Sequence, residues 1–179
     1  MPARGASPVR AGACARAGVQ GALVLDAPCG TGRLRARLAG RAHLCVGLDV
    51  SPAMLETARA AGQPLVRGDL FRLPFADGAF DAVVCCRLLH HLSDPAALDA
   101  AARELVRVAR GVVVASFWDR AALPSLGRRL SGRARQGRVA HRKRDVCAAF
   151  ARAGAEVRTF AHSFRFLSQQ TFLLAEKTG

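Results

Sequence analysis

The stretch Leu23-Val-Leu-Asp-Ala-Pro-Cys-Gly-Thr-Gly-Arg-Leu34 constrains this chain more than any other. An apolar burst runs into an acidic residue, then into a loop holding Gly30 and Gly32, then into helix-forming residues. Val24 and Leu25 suit a buried parallel strand that ends at Asp26. Glycines directly after such a strand let a ligand meet the backbone, because no Cβ intervenes. Alone, such a glycine loop often does no more than close a strand–helix turn. A dinucleotide site asks for a third glycine three residues after the second, where this chain carries Arg35. A phosphate-cradling loop asks for Lys followed by Ser or Thr, and neither follows here.

What lies downstream repeats the strand–helix step. Leu44–Leu48 reads as a second buried strand ending at Asp49, and Ser51-Pro52 marks a helix start that runs to Gly62. Leu65-Val66 is a short third strand before Asp69, followed by a loop over 71–80 with a turn at Asp77-Gly78. Phe80–Cys86 is a fourth strand, Asp94-Pro95 opens a helix to about Ala109, and Gly111–Ala115 is a fifth strand. A helix is predicted over 33–39 behind the glycine loop, and another over about 145–153, capped by Asp145 and closed by Gly154. Two final strands are predicted over about 155–162 and 170–176. Strand, helix, strand repeated means an α/β doubly wound, mostly parallel sheet.

Three successive strands therefore end in aspartate, at intervals of 23 and 20 residues, about one strand–helix–strand step each. The three carboxylates converge on the sheet edge where ligands of open α/β sheets bind. A ribose offers two hydroxyl donors, which Asp49 can accept, and an adenine amine is a donor suited to Asp69. Asp26 can hold the loop and meet an ammonium directly or through water. An adenosine with a zwitterionic tail fits this set, whereas a phosphate would be poorly served by so many carboxylates.

Leu-Asp-Ala-Pro-Cys-Gly-Thr-Gly (25–32), Gly-Leu-Asp-Val-Ser-Pro-Ala-Met-Leu (47–55), Gly-Asp-Leu-Phe-Arg-Leu-Pro-Phe (68–75) and Leu-Leu-His-His-Leu-Ser-Asp-Pro (88–95) together resemble the class I S-adenosylmethionine (SAM)-dependent methyltransferases. Within that class they are most similar to the type 11 group around the ubiquinone and menaquinone methyltransferases. The resemblance covers about 22–116 strongly and the last helix and two strands weakly. It implies a seven-stranded sheet with the last strand antiparallel and inserted beside the fifth. It further implies that Asp49 takes the ribose, Asp69 and Leu70 the adenine, and Gly30 and Gly32 the methionine end. Met54 would lie near the adenine and Arg87 near the cofactor tail. Two departures stand out. Pro28 occupies a usual glycine position; proline cannot adopt a left-handed turn, so the loop should keep its path with altered methionine-end contacts. Only 22 weakly patterned residues precede the first motif, where relatives carry a lid, so a more open site or a lid supplied elsewhere is expected.

Charge separates the remaining possibilities. The formal net charge is +14, and nine basic residues without an acid fall between Arg120 and Arg144, leaving +5 for everything else. That segment reads either as a cover over a small hydrophobic acceptor, with Phe117, Trp118, Leu123, Leu126 and Leu130, or as an RNA-binding surface. Sparse aromatics and the lack of any Tyr favour the small acceptor. The six cysteines (14, 29, 45, 85, 86 and 147) show neither C-x-x-C nor zinc-finger spacing, and Cys45, Cys85 and Cys86 read as small core residues. Residues 1–21 are expected to form a weakly ordered leader and 22–179 one domain, with 120–144 as its arginine-rich insertion. A reduced, cytoplasmic setting and no membrane-spanning segment are expected.

The chemistry expected is methyl transfer from SAM to a small or lipid-like acceptor, chiefly by alignment. His90 and His91, just beyond the fourth strand, are candidate bases for a phenol or thiol acceptor. RNA methylation, or binding of SAM or nucleic acid without catalysis, are the alternatives. No metal is expected, and the oligomeric state is not legible.

Overall fold

A computed structural model describes residues 21–35, 42–122, 138–162 and 170–178. Residues 1–20 of the predicted leader, most of the helix behind the glycine loop and the stretch 123–137 of the arginine segment lie outside these residues.

Seven strands form one sheet in the order β3-β2-β1-β4-β5-β7-β6. In chain order they are β1 (Leu23–Asp26), β2 (Leu44–Asp49), β3 (Leu65–Arg67), β4 (Phe80–Cys85), β5 (Ala109–Trp118), β6 (Ala155–His162) and β7 (Gln170–Lys177). The first five run parallel, and β7 lies antiparallel between β5 and β6. The helices are α1 (Pro52–Ala58), α2 (Pro95–Val108) and α3 (Lys143–Arg152), with short 3₁₀ turns at Arg59–Ala61 and Leu89–His91. This is the doubly wound sheet with an inserted antiparallel last strand that the motifs imply. Among the described residues no helix is long and apolar enough to cross a membrane.

Strand alternation builds two cores. Leu25, Val83, Val113, Ala115 and Phe117 point into the larger one, shared with Leu98, Leu105, Val146 and Phe150 of α2 and α3. Their strand neighbours Val24, Ala82, Val84 and Val114 point the other way, into a smaller core with Leu34 and Cys45. Burial on both faces is why these strands read as continuous apolar runs rather than alternating ones.

The caps follow the sequence at two helices and depart from it at the third. Ser51 caps α1, its Oγ accepting the Met54 N–H at 3.4 Å, and Asp94 caps α2, accepting from Ala96 at 2.9 Å. Proline occupies the first turn of both. Gly62 follows α1 and its 3₁₀ turn with φ at +69°. Helix α3 begins two residues before the predicted start, with Arg142 as its cap residue, so Asp145 sits in the first turn and not at the cap. Residues before it are held in extended form: Val139 donates to the His90 carbonyl at 2.7 Å and His141 to that of Trp118 at 2.8 Å. The chain therefore leaves an extended path at Arg142, and Asp145 still lies where the helix dipole favours a carboxylate.

Strand β5 is longer than predicted at both ends. Ala109 pairs with Phe80 of β4, and Val112–Trp118 pair with β7. The loop before β4 is pinned to α2 from one side chain: Arg107 donates to the carbonyls of Leu73 and Phe75 at 3.0 and 2.8 Å, and pairs with Glu104 and Asp77. The Leu73 N–H returns a bond to Glu104 at 2.7 Å. These bonds fix the chain that carries Asp69 and Leu70 toward the sheet edge.

Candidate functional site

At the end of β1 the chain turns through a cis Ala27–Pro28 peptide. Two backbone bonds fasten this turn to neighbouring strands, from Ala27 to the Val84 carbonyl at 2.9 Å and from Cys29 to that of Leu48 at 2.8 Å. Gly47 makes room for the loop, since a Cβ there would lie 3.1 Å from the Cys29 Sγ and 2.8 Å from a Leu65 methyl. Beyond Cys29 the two glycines take left-handed backbone, φ +54° at Gly30 and +75° at Gly32. Pro28 thus keeps its own restricted φ, and the glycines after it supply the conformations that proline cannot.

The two glycines do different work. A Cβ on Gly30 would meet nothing within 4 Å, whereas one on Gly32 would lie 3.3 Å from the Ala58 Cβ. Gly30 faces open space, and Gly32 lets the loop pack against α1. Gly30 donates its N–H to Asp49 Oδ2 at 2.9 Å, and the Ser51 N–H reaches Asp49 Oδ1 at the same distance. Asp49, only 6% exposed, joins the glycine loop to the start of α1.

Above these carboxylates lies a cavity of about 380 Å³. Asp26, Gly30, Asp49, Met54 and Arg87 line it, so five of the sequence-predicted binding residues meet there. Gly32, Asp69, Leu70, His90 and His91 are not among its lining residues. Asp69 is exposed just past β3, where its carboxylate accepts the Phe71 N–H at 3.0 Å, and Leu70 is buried in the larger core. Sequence reasoning did not single out Thr31, Arg33, Leu34 or Cys86 as lining residues. The signal for Thr31 was its place between the two glycines, and for Cys86 its place next to Arg87. Cys85 and Cys45 are buried as expected, but Cys86 is half-buried and faces the cavity, because it stands one residue past the end of β4. Charges of both signs surround the space: Asp26 and Asp49 against Arg33 and Arg87.

Two groups near the cavity, Cys29 and His90, are held in their neutral forms. Burial, with Asp26 and Asp49 adding to it, pushes the Cys29 thiol up to about 11. Such a thiol is not a nucleophile near neutral pH. His90 is 3% exposed and stacks face to face on Trp118, ring centroids 4.5 Å apart. Burial, then the neighbouring His91, Arg138 and Arg87, lower its pKa to about 4. Its Nδ1 has no hydrogen-bond partner among the described residues. His91 is exposed, with its ring 4.4 Å from that of His90. Arg138 covers Trp118 at 5.6 Å, and His141 donates from Nε2 to the Leu89 carbonyl at 2.8 Å. The end of the arginine segment is therefore built onto the turn that carries both histidines. Among the described residues no group of His, Cys, Asp or Glu could hold a metal ion.

A glycine loop clamped to a strand-end carboxylate, at the edge of a sheet ordered 3-2-1-4-5-7-6, defines a methyltransferase domain. The family model for that domain matches residues 25–114, half of the chain, and the protein belongs to this type 11 methyltransferase family. It is 40% identical over 103 residues to a putative methyltransferase of Encephalitozoon cuniculi, covering 56% of this chain and 47% of that protein. It is 44% identical over 87 residues to the demethylmenaquinone methyltransferase of Mycolicibacterium vanbaalenii, covering 49% of this chain and 37% of that protein. The chain thus spans less than half the length of these curated relatives. Among solved structures, magnesium protoporphyrin IX methyltransferase from Synechocystis with bound S-adenosylhomocysteine (SAH) superimposes with a TM-score of 0.80 at 23% identity, over 96% of this chain and 81% of that one. A SAM-dependent methyltransferase from Methanosarcina mazei gives 0.77 at 18% identity, over 92% and 97% of the two chains. These neighbours share the fold.

Proposed function

We propose that the cavity at the ends of β1, β2 and β4 binds SAM, and that the domain directs its methyl group to a small or lipid-like acceptor. The observation that carries this reading is the Asp49 clamp. The carboxylate organises the glycine loop through Gly30, yet each of its oxygens keeps a second lone pair for a ribose hydroxyl. The rest of the cavity fits the same ligand. Its volume of about 380 Å³ falls in the range of small-molecule pockets. Asp26 suits the ammonium of the methionyl end, Arg33 and Arg87 suit its carboxylate, and the open space beside Gly30 lets that end approach the backbone. Met54 on the cavity wall is assigned to the adenine, together with the exposed Asp69 beyond the lining and Leu70 in the core next to it.

When bound, SAM supplies a methyl already activated on a sulfonium, so the chain's own task is alignment and exclusion of water. The names of the demethylmenaquinone relatives support a small, quinone-like acceptor. The stack of Trp118 on His90, with Arg138 over its ring, supports part of the arginine segment as a cover at the acceptor side.

Calorimetry tests the cofactor, with single-site binding of SAM as the expected result; a folded protein that takes up none removes the reading. His90 is proposed as the proton acceptor for a phenolic substrate, with the exposed His91 beside it. Because its pKa is lowered to about 4, the ring is neutral at any pH above that value, and it is a correspondingly weak base. Turnover should therefore hold on the acid side well below the ordinary histidine value near 6.5 and fall toward pH 4. His90→Gln should cut kcat by about 10²-fold, the low end for a general base, with SAM affinity unchanged. Equal turnover in the variant ends the base role.

A further inference from the structure

Arg87 walls the cavity beyond β4 and is the one non-glycine residue with positive φ among the described residues, at 65°. A side chain there adopts the left-handed region only where its surroundings hold it. The holding group is Ser116. It lies on β5 between Ala115 and Phe117, all three fully buried. A hydroxyl in so apolar a position is costly unless it is hydrogen-bonded. Its Oγ accepts the Arg87 N–H at 2.8 Å and a Gln170 Nε2–H at 3.1 Å. Gln170 opens β7, opposite Trp118. A line of bonds thus runs from β7 through β5 to the turn at the end of β4.

We propose that Ser116, supported by Gln170, is a positioning residue of this site. Ser116 does not line the cavity; it acts through Arg87. By fixing the left-handed turn it sets the wall formed by Cys86 and Arg87, and aims the chain into the turn that carries His90. Without the hydroxyl, Arg87 relaxes toward negative φ and the wall shifts. This rests on the reading of the cavity as a SAM site.

The test is a double-mutant cycle read by calorimetry with SAH on the whole chain. Ser116→Ala should weaken binding roughly tenfold, and Ser116→Thr, which keeps the hydroxyl, should restore most of it. Glycine adopts positive φ without strain, so in an Arg87→Gly background Ser116→Ala should add less than about a threefold loss. A role confined to satisfying a buried N–H gives the same loss in both backgrounds, since the backbone N–H of the substituted glycine would still lose its acceptor; that result overturns the proposal. So does unchanged affinity in Ser116→Ala. A wild-type protein that binds no SAH overturns the cofactor reading and this proposal with it. If circular dichroism shows that Ser116→Ala does not fold, Gln170→Ala takes its place in the same cycle. About a threefold loss that disappears in the Arg87→Gly background is then expected, and equal or absent losses overturn the proposal.

Discussion

Replacing Asp49 by asparagine should lower SAM affinity by about 100-fold or more. Asparagine has the same shape, so the change isolates charge and hydrogen-bond polarity. Both oxygens of Asp49 accept backbone N–H groups, from Gly30 and Ser51. An amide offers one acceptor and one donor, so one of those N–H groups must face another donor. Hydrogen bonds to a charged group contribute about 1.5–3 kcal/mol each, and two ribose hydroxyls would lose that assistance. A total near 3 kcal/mol corresponds to a loss of about 150-fold. The misdirected amide should also loosen the loop and cost about 1–3 kcal/mol of stability. Glu56→Gln is the control, because that carboxylate is on the surface of α1 and pairs only with Arg59 in the described residues. Calorimetry on both variants decides the matter; binding by Asp49→Asn within threefold of wild type would contradict the assignment of Asp49 to the ribose.

The largest loss of stability is expected from Phe150→Ala. Phe150 is fully buried on α3, which packs against α2 and β6. Truncating a buried phenylalanine removes its transfer free energy and leaves a cavity, at a cost of about 3–5 kcal/mol. Against a typical total of about 5–15 kcal/mol, that leaves a marginal protein. Urea unfolding should show a lower midpoint with an unchanged slope, since the surface exposed on unfolding scarcely changes. Phe150→Leu keeps most of the volume and should cost distinctly less. A loss under about 1 kcal/mol for the alanine variant would mean that α3 is not an integral part of the core.

Much of the fold could be read from the residues because its strands are buried on both faces. Val24-Leu25 runs up to Asp26 and Cys45–Leu48 up to Asp49, and Val83-Val84 and Val112–Val114 are apolar runs of the same kind. What escaped depends on partners distant in sequence. The far end of β5 is set by pairing with β7, some fifty residues later, and its start by the pairing of Ala109 with Phe80 of β4. The start of α3 is set by bonds from 139–141 to the turn that carries His90 and to the end of β5 rather than by a local cap. The site shows the same division. Asp49 and Gly30 were legible because strand-end spacing brings them together, and the bond between them follows. The burial of His90 was not, since Trp118, Arg138 and His141 surround it from 28 to 51 residues away. Gly32 looked equivalent to Gly30 in the motif; only the approach of Ala58 distinguishes a packing glycine from one that faces the cavity. Cys86 differed from Cys85 by one position, enough to move a thiol from the core to the cavity wall.

The place of β7 also carries a consequence for how the chain acquires its shape. Strand β6 hydrogen-bonds to β7 alone, and β7 is the wedge between β6 and β5. Until β7 arrives, β5 presents a bare flank and β6 has no place in the sheet. Such long-range pairing bears the loop-closure entropy before it gains any contact, which makes it a slow step. Strands β1 to β5 pair with one another without β6 or β7. The turn at Arg87 then waits on the closing strand, because Gln170 is the residue with which that strand begins. Assembly of the binding wall is thereby tied to completion of the fold.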